Sequence, residues 1–440
     1  MGRIDQRLSR RNFLGSGAAT IAGAIAMMSG SDALAAAAAR TRTTISDVQT
    51  MTVQGPGRTY VYVRVTASDG HSGIAEAYGS PGVSVADQIL ALKPQLVGLN
   101  PLEIDKIYTF LGVGARSLSG TRTDGSAHNL LRAASGVEMA LWDLAGNMLG
   151  APVSMLMGGQ FRPQVRVYDH AAPRNPLDKA SCREWASQIR AHKSGFTAHK
   201  IGIPRTDTPW AVNGRSVPDP GKDPGNRRLT TMELRRIGQA FENMREAIGD
   251  DHDLMVHCHW ELDVPSALQL CEVIAPMKPM SLEDPLPVDY SDSWKRLCER
   301  SPVPIVMGEN LARREGFLPF LLNQGCDVIN PDLRNSGGFL ETKRIADLAS
   351  VFGIPITTHN TASQLHTYQV CQWAASVRDY IMCETVTGEG GWMDEVLMLD
   401  GPYIENGFVK VNDRPGTGVR LNREVVSAHL APGERWWGDL

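Results

Sequence analysis

Six apolar runs in the second half of the chain end in groups able to bind a metal or move a proton. They read MVHCHW (His257, His259), SLEDP (Glu283, Asp284), VMGEN (Glu309, Asn310), VINPD (Asp332), ITTHN (His359) and MCETV (Glu384). Their intervals are about one strand plus one helix, the repeat of a (β/α)8 barrel whose strand tips converge on one mouth. Carboxylates and imidazoles gathered there would repel one another or be costly to desolvate, a conflict that a divalent cation resolves. The pattern therefore predicts metal-assisted acid–base chemistry at a barrel rim.

Such groups need a scaffold, and the rest of the chain supplies its pattern. Thr59–Gly79 alternates strongly around a turn at Ser68-Asp69-Gly70, which predicts a two-strand antiparallel unit. Helical spacing follows in VADQILALKPQL, PLEIDKIYTFL and ASGVEMALWDLAGNML (Ala134–Leu149), so residues 44–160 form a small α+β domain. Over 161–401 eight strand-like segments recur, from VRVYDHAA and FTAHKIGI through the six stations to YIMCETV, most of them separated by helical patterns. A closed parallel barrel is the expected outcome. Residues 402–440 resume short strands (FVKVND) and are expected to pack back on the first domain and complete it. Pro204–Thr231, rich in Pro, Gly, Asn and charge, is longer than a usual βα loop and reads as a lid, a subunit contact or a disordered insertion.

At 440 residues, 42% hydrophobic and a formal charge of -4, the chain can bury a large core and is long enough for two domains. Lys and Arg are scattered among Asp and Glu, which argues against nucleic acid as a partner. Residues 1–40 read as an export signal: Ser9-Arg10-Arg11-Asn12-Phe13-Leu14 is a twin-arginine pattern, followed by a Gly/Ala/Ile/Met stretch to about Met28 and a small-residue cleavage site at Ala33-Leu34-Ala35. The expected location is periplasmic, free of the membrane once the signal is removed. The seven cysteines show no paired spacing and sit in apolar contexts, so they read as buried thiols.

The run GVEMALWDLAGNMLGAPVSMLMGG (Gly136–Gly159), Glu283-Asp284-Pro285, Gly308-Glu309-Asn310, Asp332 with Gly337-Gly338 behind it, and His359 together resemble the enolase superfamily, mandelate racemase / muconate lactonizing enzyme branch. The resemblance runs from about Thr44 to the end. It implies a capping domain built from both chain ends, a barrel, a bound Mg2+, a homo-oligomer, and removal of the proton next to a substrate carboxylate. That proton is weakly acidic, and its loss leaves a dianion that a hard cation stabilises.

Carried onto this chain, the resemblance places the metal ligands at His257, Glu283 and Glu309. An Asp is usual where His257 stands, so Mn2+ or another nitrogen-tolerant ion becomes an alternative to Mg2+; His257 could also be a rim histidine beside a site completed by water or Asp284. His359 and Asp332 fall at the acid–base dyad, where the carboxylate orients the imidazole and raises its pKa. His259, two residues after His257, shares its side of the strand and resembles the second acid–base group of galactonate and mannonate dehydratases; a purely substrate-binding role is the alternative. Racemases of the branch carry Lys-x-Lys where this chain has Lys200-Ile201-Gly202, which disfavours a racemase. Lys200 remains among the catalytic candidates, either binding a carboxylate or hydroxyl or extending toward solvent. Glu384, His170 and Asn310 are expected at the substrate.

These readings converge on a metal-dependent sugar-acid dehydratase that forms a 2-keto-3-deoxy acid. An epimerase or cycloisomerase using the same proton abstraction, and an inactive exported binding protein for sugar acids, are the alternatives.

Overall fold

The computed structural model describes residues 42–55, 58–79, 85–113, 125–203, 227–386 and 391–437. The expected signal over 1–40 and nearly all of the Pro204–Thr231 insertion lie outside the described residues.

The first domain is a three-stranded antiparallel sheet, β1 (Ile45–Gly55), β2 (Arg58–Ala67) and β3 (Ser72–Ala77), in the order β1-β2-β3. Its first strand adds to the two expected from the sequence. The helix Gly125–Leu149 packs on β3 and β2, and its Gly136 lets the two backbones approach: a Cβ there would stand 2.6 Å from that of Ala77.

The second domain holds all eight expected barrel strands: β4 (Gln164–Tyr168), β5 (Ala198–Gly202), β6 (Asp253–His257), β7 (Ser281–Glu283), β8 (Ile305–Met307), β9 (Val328–Ile329), β10 (Ile356–Thr358) and β11 (Tyr380–Glu384). They pair in parallel from β5 to β11 and back to β4. A parallel bridge between Asp169 and His199 joins β4 to β5 and closes the ring. Residues of β7, β8 and β10 are buried throughout, because a parallel barrel is covered by helices outside and filled by side chains inside. The intervening helices start on local signals: Asp178 and Asp263 accept N–H bonds at their helix N-termini, and Thr230 with Glu233 forms a reciprocal capping box.

The expectation for 402–440 divides in two. Strand β12 (Phe408–Lys410) pairs antiparallel with β4, so FVKVND belongs to the barrel rather than to the first domain. Beyond it, the Thr417 backbone N–H and hydroxyl donate to Asp143, Leu430 bridges Val53, and Arg64 stacks over Trp437, which ties the tail to the cap. The short strand finds its hydrogen-bond partners on the free lower edge of β4, whereas the later residues have side chains that suit the cap.

Two buried carboxylates fasten cap to barrel. Glu138, in the long cap helix, accepts the backbone N–H groups of Phe339 and Leu340 at the start of the barrel helix Gly338–Val351. Gly338 is needed there, since its φ is +85° and a Cβ would lie 2.1 Å from the Glu138 carboxylate. Glu76 of β3 accepts from Arg334 at 3.1 Å and from the backbone N–H of Ser363 at 3.0 Å. Both contacts reach loops at the barrel mouth. All seven cysteines are free thiols, six of them buried, as the lack of paired spacing predicts.

Candidate active site

Parallel register brings the strand tips level: His257 of β6 stands beside Glu283 of β7, and Glu384 of β11 beside Tyr168 of β4. Glu309, Asp332 and His359 lie within three residues of the ends of β8, β9 and β10. The predicted stations therefore do meet at one mouth, and they sort into three connected groups.

The first group is acidic. Glu283, Asp284 and Glu309 each place a carboxylate oxygen within 4.8 Å of the others, the one such group of three potential metal ligands among the described residues. Glu283 is buried, with one oxygen on the Lys200 ammonium at 2.8 Å and the other on the Asn330 amide at 2.9 Å. Burial raises its pKa against the pull of Lys200. Asp284 is only 2% exposed, and its Oδ2 has no hydrogen-bond partner. Burial first, then Glu309 and Glu283, push its pKa well above the carboxylate range. Asn330, wholly buried, likewise leaves Oδ1 unpartnered. Buried polar oxygens are rarely left so, and an all-oxygen cluster with excess negative charge fits a hard divalent cation.

The second group is the proton-moving dyad. His359 Nδ1 stands 2.9 Å from Asp332 Oδ2, and its Nε2 faces Glu309 at 3.5 Å. Burial would lower the imidazole pKa, but Glu309, Glu384 and Asp332 outweigh it and lift the value to about 10. Asp332 is fully buried, yet Arg334 and His359 hold its pKa far below the usual range. Arg334 grips both Asp332 oxygens, and its other arm reaches Glu76 of the cap.

The third group is imidazole-rich. His170 pairs through Nε2 with Glu384 Oε1, and the rings of His170, His257 and His259 contact edge-on, with centroids 6.0 and 4.7 Å apart. Neither ring nitrogen of His257 joins the acidic group, although the ligand set expected from the sequence included it. Burial first, then Lys200, His259 and His170 nearby, hold its pKa well below the usual histidine value. His259 lies beyond the end of β6 and is exposed, with its ring still against His257.

Lys200 links the groups. Its Nζ lies 2.8 Å from Glu283 and 2.9 Å from Glu384, with the side chain 2% exposed. Burial opposes its charge, but the two glutamates raise its pKa above the ordinary lysine value. A lysine so held does not extend to solvent; it pairs with two carboxylates. Glu384 also accepts the Asn360 backbone N–H at 2.9 Å. Burial notwithstanding, Lys200, His359 and His170 keep it ionised, with a pKa well below the usual value. Asn310 is half-buried and makes no side-chain hydrogen bond among the described residues.

Sequence reasoning overlooked Asn330, Arg334 and Glu76. A signal existed for Glu76, a lone acid within the apolar strand GIAEA, and for Arg334, which lies two residues after Asp332. Asn330 carried none, since an Asn after a short strand is usually a turn residue.

Two family models match the chain: the mandelate racemase / muconate lactonizing enzyme N-terminal domain over residues 34–158, and the enolase C-terminal domain-like family over residues 183–425. A D-xylonate dehydratase of Haloferax volcanii is 34% identical over 391 residues, covering 89% of this chain and 90% of that protein. A D-galactarolactone cycloisomerase of Agrobacterium fabrum is 28% identical, covering 85% and 92%. Among solved structures, a mandelate racemase/muconate lactonizing enzyme-like protein from Rubrobacter xylanophilus superposes with a TM-score of 0.79 at 26% identity, covering 90% of this chain and all of that one.

Proposed function

Because the chain belongs to the mandelate racemase / muconate lactonizing enzyme family of the enolase superfamily, we propose that it is a hydro-lyase that dehydrates a sugar acid to a 2-keto-3-deoxy acid. One observation carries this reading: a carboxylate-oriented imidazole, His359 on Asp332, faces an acidic cluster of metal-binding character at Glu283 and Glu309. D-Xylonate dehydratase and a D-gluconate dehydratase of Thermoproteus tenax among the relatives support the substrate class.

A divalent cation, which we take to be Mg2+, would be held by Glu283 and Glu309 and would neutralise charge developing on the substrate carboxylate. The protein's own residues do the rest. Nδ1 of His359 is committed to Asp332, so Nε2 is the atom that exchanges a proton with the substrate. Lys200 holds Glu283 and Glu384 at fixed positions, and Glu384 in turn holds His170. The hydrogen at C2 leaves as a proton to one of His259 and His359, its bonding electrons form the C2–C3 double bond, and the hydroxyl at C3 leaves as water with a proton from the other. The resulting enol tautomerises to the keto acid. Asn310 and His170 are the groups we assign to the substrate's polar atoms, together with Glu384, which Lys200, His170 and the Asn360 N–H hold.

The twin-arginine pattern supports a periplasmic enzyme, and the family supports a homo-oligomer. Incubation with aldonic, aldaric and uronic acids, with Mg2+ or with EDTA, should give keto acid only with the metal. A full panel without turnover in the presence of Mg2+ rejects the reading. Deuterium entering C2 from solvent without loss of water would favour the cycloisomerase or epimerase alternative, which the Agrobacterium relative makes specific.

A further inference from the structure

We propose that Asp284, and not His257, completes the protein's ligand set with Glu283 and Glu309, so that the resident cation is held by three carboxylates. This inference rests on the dehydratase reading above.

Backbone alternation argues against it at first sight. Adjacent residues of a strand point to opposite faces, so Glu283 and Asp284 should diverge. Asp284 instead adopts a left-handed conformation, with φ +46°, which breaks the alternation and turns the second carboxylate toward the first. The turn is fixed on both sides. The Asp284 backbone N–H donates to Val306 of β8 at 3.0 Å, and its carbonyl accepts the Trp260 N–H at 2.8 Å. A non-glycine residue held in that region is strained, and such positions cluster at functional sites.

The outcome is a carboxylate whose Oδ2 is buried, unpartnered and part of a group of three within 4.8 Å. Lys200 does not relieve it: that ammonium is bonded to Glu283 and Glu384. A second orphan, the neutral Asn330 Oδ1, belongs to the amide that donates to Glu283, so a further buried oxygen next to that ligand lacks a donor. His257 is differently employed. Its register partner is Glu283, but its ring packs against His170 and His259, and neither ring nitrogen joins the acidic group.

The replacement has a chemical consequence. The aspartate expected at the tip of β6 is missing, and the negative charge lost there is supplied from the tip of β7. Three carboxylates form a hard, all-oxygen set that favours Mg2+ or Mn2+, whereas a histidine ligand would favour Zn2+ and its neighbours.

Mn2+ serves as the probe. Its binding to the full-length enzyme, followed by the EPR signal of the free ion, should weaken by about 100-fold in Asp284→Asn. In His257→Gln it should change by about threefold or less. Pulsed EPR of Mn2+ bound to the unaltered protein should show no directly coordinated nitrogen, a readout that needs no variant to fold. Nitrogen coupling that vanishes in His257→Gln overturns the proposal, as does a loss of about tenfold or less in Asp284→Asn. Either result leaves the dehydratase reading intact; failure of the unaltered protein to bind Mn2+ at all removes both.

Discussion

The two sides of the barrel mouth are built to different tolerances. On the acidic side, Glu283, Asp284, Asp332 and His359 are all less than a tenth exposed, and all but Asp284 have their side chains locked by charged hydrogen bonds. On the imidazole side, His170 is a third exposed, His259 is exposed, and ring contacts replace most of the hydrogen bonds. Groups that must hold a cation and aim one proton need positions fixed to a fraction of an ångström. Groups that recognise a polyhydroxylated chain can adapt. The cap also reaches the buried side, through Glu76 on Arg334 and Glu138 on the start of the helix Gly338–Val351.

The sharpest way to break this comparison is to neutralise the acidic side. Glu283→Gln removes a proposed ligand and the partner of Lys200, and turnover should fall by about 10^3-fold or more. Steady-state kinetics at saturating Mg2+ checks this, and a loss below about tenfold would show that the acidic side is not where charge is stabilised. Asp332→Asn should lower kcat by about 10^2-fold with little change in KM, because it leaves His359 in place but no longer fixes its orientation or its proton. An equal rise in KM would instead mean that the dyad binds substrate.

The exposed side should yield less. His170→Ala removes one charged hydrogen bond to Glu384, a contribution of about 1.5–3 kcal/mol, and it should act mainly on KM as that carboxylate loses its support. A pure kcat effect would move His170 into the proton-moving group. The smallest effect on turnover belongs to Glu138→Ala, which strips the acceptor from two N–H groups at a helix start. Stability in urea should drop by about 2 kcal/mol, with kcat within about twofold. A larger fall in kcat would mean that the cap transmits more than its weight to the mouth.

Most of the scaffold could be read from residue pattern. Eight strand-like segments, six of them ending in groups able to bind a metal or move a proton, became β4 to β11, because a buried parallel strand leaves little room for anything but apolar residues until its tip. Strand β1, ISDVQTMTVQG, escaped notice since polar residues are interleaved along it, and its buried Val48, Met51 and Val53 do not hold a regular spacing. The placement of FVK on β4 was equally unreadable, for a three-residue strand carries no mark of its partner. At the site, His359, Asp332, Glu283 and Glu309 were legible by type and order. Asn330 was not, and the faint signals of Arg334 and Glu76 gave no hint of their partners, since Glu76 meets Arg334 and Ser363 at separations of 258 and 287 residues.

Sequence alone determined which chemical groups stand at the strand tips and in what order, because hydrophobic period dictates where each strand must end. It could not determine which of them converge. Two adjacent acids at 283 and 284 come together because neighbouring strands and a loop hold Asp284 in a left-handed turn, while the His257 ring packs against two other imidazoles. Choices of backbone region and side-chain rotamer differ by a kilocalorie or so, and it takes the assembled barrel to decide them.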